Sequence, residues 1–294
     1  MSANKVTAYK NVIRDHVILT KPGIVILVLI TTLAGIYIAH RGLPDPWLVF
    51  WTLLGTGLAA GGSAVLNNFI DRDIDTLMER TMYRPTAKGT VNPINVLIMG
   101  TGFILLSVII LSHYVNFISA LLAFLAAFVY IVPYSILTKR RTEYATEIGG
   151  ITGALPPVIG YTAVKGTLDL EALVLFLIMF VWQPPHFWVL ALKYREDYRR
   201  AGVATLPVSR GVRETKLRTL FYTLLLLPVT MLPYFMNMAG NIYLYGSIVL
   251  NLIYIGLTIR FVISKRETDM FLFFYSIFYL TCIFMLMVFN MVKA

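Results

Sequence analysis

The stretch that decides the fold reads PINVLIMGTGFILLSVIILS at 93–112, then His113-Tyr114, then VNFISALLAFLAAFVYIVPYSI at 115–136. No Asp, Glu, Lys or Arg interrupts it. Each half supplies the roughly 20 apolar residues that an α-helix needs to cross the hydrocarbon core of a bilayer. The apolar residues run on without the alternation of a barrel strand, which excludes a closed barrel. The two halves predict antiparallel spanning helices with a tight turn at His113-Tyr114.

Seven further runs flank this pair, giving nine predicted spans at 22–39, 47–70, 93–112, 115–136, 146–164, 170–192, 217–238, 241–263 and 270–292. A second tight turn is expected at Ala239-Gly240. The whole chain has 294 residues, 58% hydrophobic and 14% charged, against roughly 25% charged in soluble domains. The expected architecture is an all-α, polytopic membrane protein, one domain over 1–294, with nine transmembrane helices around a central cavity. The first twenty residues are polar and basic, and no cleavable signal is expected there. The single cysteine, Cys282, lies in an apolar run and reads as a packing residue; it excludes an intramolecular disulfide.

The formal net charge of +10 would raise nucleic acid as a partner for a soluble protein. Placed on the nine spans, 22 of the 25 Lys and Arg residues fall on one side, leaving Arg41, Lys165 and Lys293 on the other. The positive-inside rule then puts 1–21 in the cytoplasm and the C-terminus outside. The lipid bilayer is the expected partner, and no nucleic acid. Two long loops, 71–92 and 193–216, follow the second and sixth spans on the basic side. Basic clusters, Lys139-Arg140-Arg141 and Lys265-Arg266, follow the fourth and eighth. This spacing predicts a four-helix internal repeat running parallel, with a ninth helix added. Gly57-x-x-x-Gly61 and the Gly149/Gly150/Gly153 group are expected to let helices pack closely.

The second span ends in Asn67-Asn-Phe-Ile-Asp71-Arg-Asp73-Ile-Asp75. Asn67, Asp71 and Asp75 are spaced i, i+4, i+8 and share one helix face; Asp73 points away. Three oxygen donors without thiol or imidazole suit a hard cation. Mg²⁺ fits, since it commonly binds one or two carboxylates plus substrate phosphates. Acids beside lipid are costly and mark function. Arg80, Arg84 and Lys88 follow at four-residue spacing and match the remaining oxygens of a metal-bridged diphosphate, although the positive-inside rule alone also accounts for them. The expected metal ligands are thus Asn67, Asp71 and Asp75.

Asn-x-x-x-Asp-x-x-x-Asp after the second of nine helices resembles the first signature of UbiA-type intramembrane prenyltransferases. "DRDID", "RTMYRP", Ala154-Leu-Pro-Pro157, Trp182-Gln-Pro-Pro-His186-Phe-Trp188 and Tyr194-Arg-Glu-Asp-Tyr-Arg-Arg-Ala-Gly202 are similar to one branch of that family, the protohaem IX farnesyltransferases. The likeness covers nearly the whole chain. It implies transfer of farnesyl from farnesyl diphosphate to a vinyl group of protohaem IX with addition of water, giving haem O. Haem is then a substrate and Mg²⁺ the cofactor. A downstream haem-modifying enzyme or terminal oxidase assembly is the implied recipient of the product.

The second motif departs from the wider family, where two aspartates usually stand four apart. Here those positions are Tyr194 and Tyr198, with Glu196 and Asp197 between them. The resemblance implies a carboxylate from Asp197, donors from Tyr194 and Tyr198, and diphosphate contacts from Arg199 and Arg200. A lone histidine in an apolar helix is more often a hydrogen-bonded packing residue; the resemblance implies instead that His186 touches the porphyrin, with iron ligation one form of that contact. Trp182, Phe187 and Trp188 are flat rings able to stack on a macrocycle, although aromatic residues are ordinary in membrane helices. Siblings acting on a quinone precursor or a chlorophyll-type acceptor would favour a full second aspartate pair. A transporter would place its acids near the midplane, whereas these lie at one surface.

Overall fold

The computed structural model describes residues 13–292; Lys5, Lys10 and Lys293 of the charge bias lie outside them. Among the described residues there are nine long helices: α1 Pro22–His40, α2 Pro46–Ile70, α3 Pro93–Tyr114, α4 Phe117–Val129, α5 Ala145–Lys165, α6 Leu170–Lys193, α7 Gly211–Phe235, α8 Asn241–Ile263 and α9 Met270–Phe289. Helix α4 continues directly into a π-helical stretch, Tyr130–Thr138. The only extended pairing among these residues is the isolated bridge Ala239–Met291.

Eight of the nine are long and apolar enough to cross a membrane, counting α4 with its π-helical extension. The exception is α5, rich in Gly, Thr and Pro. It is packed on α1, α4 and α6 and buries residues 154–163 without a break. Neighbouring helices surround it in place of lipid, so it needs less hydropathy.

Local chemistry sets the helix starts. Proline stands in the first turn of α1, α2 and α3, where its missing N–H costs nothing. Asp45, Asn92, Asn116, Asp169 and Asp269 each accept backbone N–H bonds as N-caps. Helix α7 begins at Gly211, six residues before the predicted 217. Its first turns carry Arg213, Glu214 and Arg218, and the Arg218–Glu214 pair at 2.9 Å lies along them. Hydropathy does not register a polar helical turn, so the second long loop is shorter than 193–216.

Glycine packing differs from expectation in its register. Gly57 and Gly61 meet only side chains at 3.4 Å or more; the tight seam of α2 is Gly62, whose added Cβ would lie 2.7 Å from the Gly100 carbonyl oxygen on α3. The closest approach joins α1 to α5. A Cβ on Gly35 would sit 2.0 Å from the Pro157 carbonyl oxygen, and one on Gly160 would sit 2.0 Å from that of Thr32. In a bilayer, where apolar burial between helices gains little, such backbone contact is what holds helices together.

Each long loop on the basic side folds into two short helices, Arg72–Asp75 and Pro85–Lys88 after α2, then Arg195–Arg200 and Leu206–Ser209 after α6. The same order recurring four helices later is the repeat expected from the sequence. The two loops meet: Arg80 donates to the Tyr198 hydroxyl at 3.2 Å.

Candidate active site

Asp71 closes α2, yet the helical bonding continues, since Asp75 N donates to Asp71 O at 2.8 Å. The Asn67–Asp71–Asp75 row therefore survives past the helix end. All three side chains are buried, with Asp71 and Asp75 fully so. They line a cavity of about 210 Å³ that also takes in Lys21, Arg80, Arg84, Tyr130, Tyr134, Lys139, Phe187, Tyr198 and Thr205. Arg80, Arg84 and Lys139 against the two carboxylates leave this cavity one positive charge in excess, and Lys21 adds a second when protonated.

The contacts are specific. Asn67 Nδ2 donates to Asp71 Oδ2 at 2.8 Å and to Ser135 Oγ at 3.0 Å, while its Oδ1 accepts from Lys21 Nζ at 2.6 Å. Lys139 pairs with Asp71 Oδ2. Arg84 Nη1 contacts both oxygens of Asp75, at 3.0 and 2.8 Å. Burial, with the Arg84 and Lys139 cations beside it, holds the Lys21 ammonium down to about 7. Burial pushes the Tyr198 hydroxyl up from its ordinary range, so it stays protonated. Asp71 Oδ1 and Thr205 Oγ1 are buried with no hydrogen-bond partner among the described residues. Such groups are costly unless something else meets them. An orphaned carboxylate oxygen in a cavity rich in cations fits a metal bound jointly by protein and a phosphate ligand. A closed all-protein metal cage is absent: among the described residues no group of three His, Cys, Asp or Glu side chains is placed for one.

Several expected residues lie elsewhere. Asp73 pairs with Arg140 through two 2.7 Å contacts at the surface, and that guanidinium holds its carboxyl below the usual range. Lys88 lines a different cleft, with Arg14 and Asp15, its ammonium 5.1 Å from the Tyr83 ring. The segment between Asp75 and Pro85 is built of turns, so four-residue spacing sets no common face, and only Arg80 and Arg84 enter the cavity. Asp197 pairs with Arg200, and Arg199 pairs with Glu196 at 2.7 Å. Both pairs are i, i+3 on the short helix Arg195–Arg200, which turns only Tyr198 inward. Asp197 and Tyr194 instead border a separate cleft with Glu79 and Lys193; the Arg80 guanidinium lies 5.0 Å from the Tyr194 ring, between the two spaces.

On α6, Phe187 faces the cavity, but Trp182 and Trp188 are occupied by protein. Trp188 is fully buried, edge-on to Tyr222. Trp182 stacks on His186 at 4.5 Å. His186 Nδ1 lies 2.7 Å from Ser276 Oγ on α9.

Sequence patterns do not single out Lys21, Tyr130, Tyr134, Ser135, Lys139 or Thr205 as site residues. Ser135 and Lys139 arrive through the π-helical end of α4, where Pro133 was the one local signal. π-helical turns recur at functional sites.

This fold and cavity define an integral membrane prenyltransferase. The profile of the UbiA prenyltransferase family matches residues 28–287, and the chain belongs to that family. It is 57% identical over 291 residues to a protoheme IX farnesyltransferase of Aquifex aeolicus, covering 99% of this chain and 100% of that one. It is 40% identical to a protoheme IX farnesyltransferase of Marinobacter nauticus, covering 93% and 91%. Among solved structures, its fold is similar to a digeranylgeranylglyceryl phosphate synthase (TM-score 0.78, 17% identity, 95% of this chain and 98% of that one). A UbiA homologue from Archaeoglobus fulgidus bound to DMAPP and Mg²⁺ is similar as well (0.65, 16%, 93% and 99%).

Proposed function

We propose that this chain transfers the farnesyl group of farnesyl diphosphate to a vinyl group of protohaem IX, with addition of water, giving haem O and diphosphate. The observation that carries the diphosphate half is the cavity itself: buried Asp71 with a free Oδ1, Asp75, and an excess of cations around them. The haem half rests on full-length similarity to relatives that carry that name.

Asn67, Asp71 and Asp75 would hold Mg²⁺, which when bound neutralises the diphosphate and favours its departure. Arg84 and Lys139, now held by the acids, and Lys21 and Arg80 then turn to phosphate oxygens. Tyr198 and Thr205 supply neutral donors. These preorganised charges act where charge develops, as the C1–O bond of the farnesyl ester breaks. The vinyl group attacks C1, and the cation formed beside the porphyrin is quenched by water, which loses a proton. Phe187 supplies an apolar wall that keeps water from the allylic carbon. The site end, with loops 71–92 and 194–210, faces the cytoplasm by the charge bias.

Mass spectrometry of haem recovered after incubation with farnesyl diphosphate and Mg²⁺ tests the reading. A haem heavier by one farnesyl group and one hydroxyl group is expected. Unmodified haem, with the diphosphate intact or spent on a quinone-type acceptor, would overturn it.

A further inference from the structure

The imidazole of His186 is enclosed on both faces. Trp182 stacks on one at 4.5 Å and 17°, and Phe273 of α9 stacks on the other at 4.7 Å and 22°. Only the two nitrogen-bearing edges remain. One edge presents Nδ1 to Ser276 Oγ at 2.7 Å.

The direction of that bond follows from the serine. Ser276 Oγ lies 2.6 Å from the Phe273 carbonyl oxygen, which can only accept. A hydroxyl has one hydrogen to give, and it goes to Phe273. Ser276 Oγ must therefore accept from His186, so Nδ1 carries the hydrogen. In a neutral imidazole the other nitrogen, Nε2, then holds a lone pair. Nε2 makes no hydrogen bond among the described residues and is not fully sealed by protein. The same serine is held from a third direction, since Trp182 Nε1 donates to its carbonyl oxygen at 2.8 Å. Ser276 is 1% exposed.

We infer that Ser276 is a positioning residue that fixes His186 in the Nδ1–H tautomer and leaves Nε2 free to ligate the iron of the haem acceptor. The inference rests on the acceptor reading above. A packing histidine would have both nitrogens satisfied or one sealed against apolar atoms; this one has two stacked faces, one committed nitrogen and one nitrogen without a hydrogen bond and not fully sealed. Histidines that bind metal through one nitrogen are held in this way by a hydrogen bond from the other.

The test is a titration of the full chain, in detergent, with protohaem. It follows the Soret band and, in the reduced state, the iron–histidine stretch by resonance Raman, in the wild type, His186→Gly, Ser276→Ala and Ser276→Thr. His186→Gly is expected to lose the iron–histidine signature, and added imidazole to restore it. Ser276→Ala is expected to shift that stretch and weaken haem binding by about 10- to 100-fold, with farnesyl diphosphate binding unchanged; Ser276→Thr keeps the hydroxyl and restores both. An unchanged spectrum in His186→Gly overturns the inference. So does a loss that imidazole does not restore and that extends equally to the diphosphate, which marks a packing defect. A Ser276→Ala protein identical to wild type removes the role of Ser276. Farnesylated haem made by the wild type alongside any of these outcomes leaves the acceptor reading standing. Its absence removes that reading separately.

Discussion

Lys139, just past the π-helical end of α4, pairs with Oδ2 of Asp71 at the end of α2 and leaves Oδ1 of the same carboxylate buried without a partner among the described residues. One oxygen is thus held by the protein and the other is free for a ligand. The pair also fixes the mutual position of two helices at the mouth of the cavity.

Asp71→Asn and Asp75→Asn are each expected to lower turnover by at least about 10²- to 10³-fold, the scale of losing one preorganised electrostatic contact. Asp73→Asn, whose partner is the surface residue Arg140, is expected to stay within a few-fold. Removing one member of a buried pair strands the other and destabilises, so Asp71→Asn should melt lower. Asp71→Asn/Lys139→Met should recover the melting temperature without recovering turnover. Near wild-type turnover in purified Asp71→Asn at limiting Mg²⁺ would end this assignment.

Removal of divalent metal by a chelator is expected to stop product formation, and Mg²⁺ to restore it. Direct binding of Mn²⁺, followed by its electron paramagnetic resonance signal, should weaken in Asp71→Asn. Activity that persists in excess chelator would mean that Lys21, Arg80, Arg84 and Lys139 alone carry the diphosphate.

Two basic residues four apart in sequence should behave differently. Arg84 contacts Asp75 in the cavity, whereas Lys88 lies over Tyr83 in another cleft. Arg84→Met is expected to raise KM for farnesyl diphosphate by tenfold or more, while Lys88→Met leaves it within about twofold. Haem affinity should change little in either. Equal effects of the two substitutions would refute the distinction.

These residues also mark where the sequence stops being legible. The spans, their charge bias and the Asn67–Asp71–Asp75 row are local patterns, set by hydropathy and helical spacing within one segment. What completes the cavity comes from afar: Lys21 precedes α1, and Ser135 and Lys139 follow Asn67 by about 70 residues. No periodicity within one helix reports which other helix will face it. The four-residue spacing of Arg80, Arg84 and Lys88 misleads for the opposite reason, because the segment that carries it is not helical. The pairs Asp197–Arg200 and Glu196–Arg199 satisfy one another along a short surface helix, so charges that read as ligands are spent locally.

Gly160→Ala is expected to destabilise the protein strongly although it adds one methyl group. The new Cβ would meet the Thr32 carbonyl oxygen at 2.0 Å, so α1 and α5 must separate. Overpacking costs about 1–3 kcal/mol or more. Gly102→Ala, where nothing lies within 4 Å, is the matched control. Thermal unfolding in detergent measures the difference; equal melting temperatures would disprove the seam.

The π-helical stretch Tyr130–Thr138 has a consequence for how such a site can arise and be lost. Its wider winding holds an extra residue relative to an α-helix. Deleting one residue, such as Ile131, would let the stretch relax to ordinary winding and leave the apolar face of Phe117–Val129 as it was. Because the wide turns already absorb the extra residue, Lys139 beyond the stretch would keep roughly its present direction, while Ser135 inside it would be re-aimed away from Asn67. A single codon gained or lost at a place that bears no catalytic group can therefore re-aim the side chains within one stretch of the active-site wall, without turning the helix on either side of it and at almost no cost to insertion in the membrane.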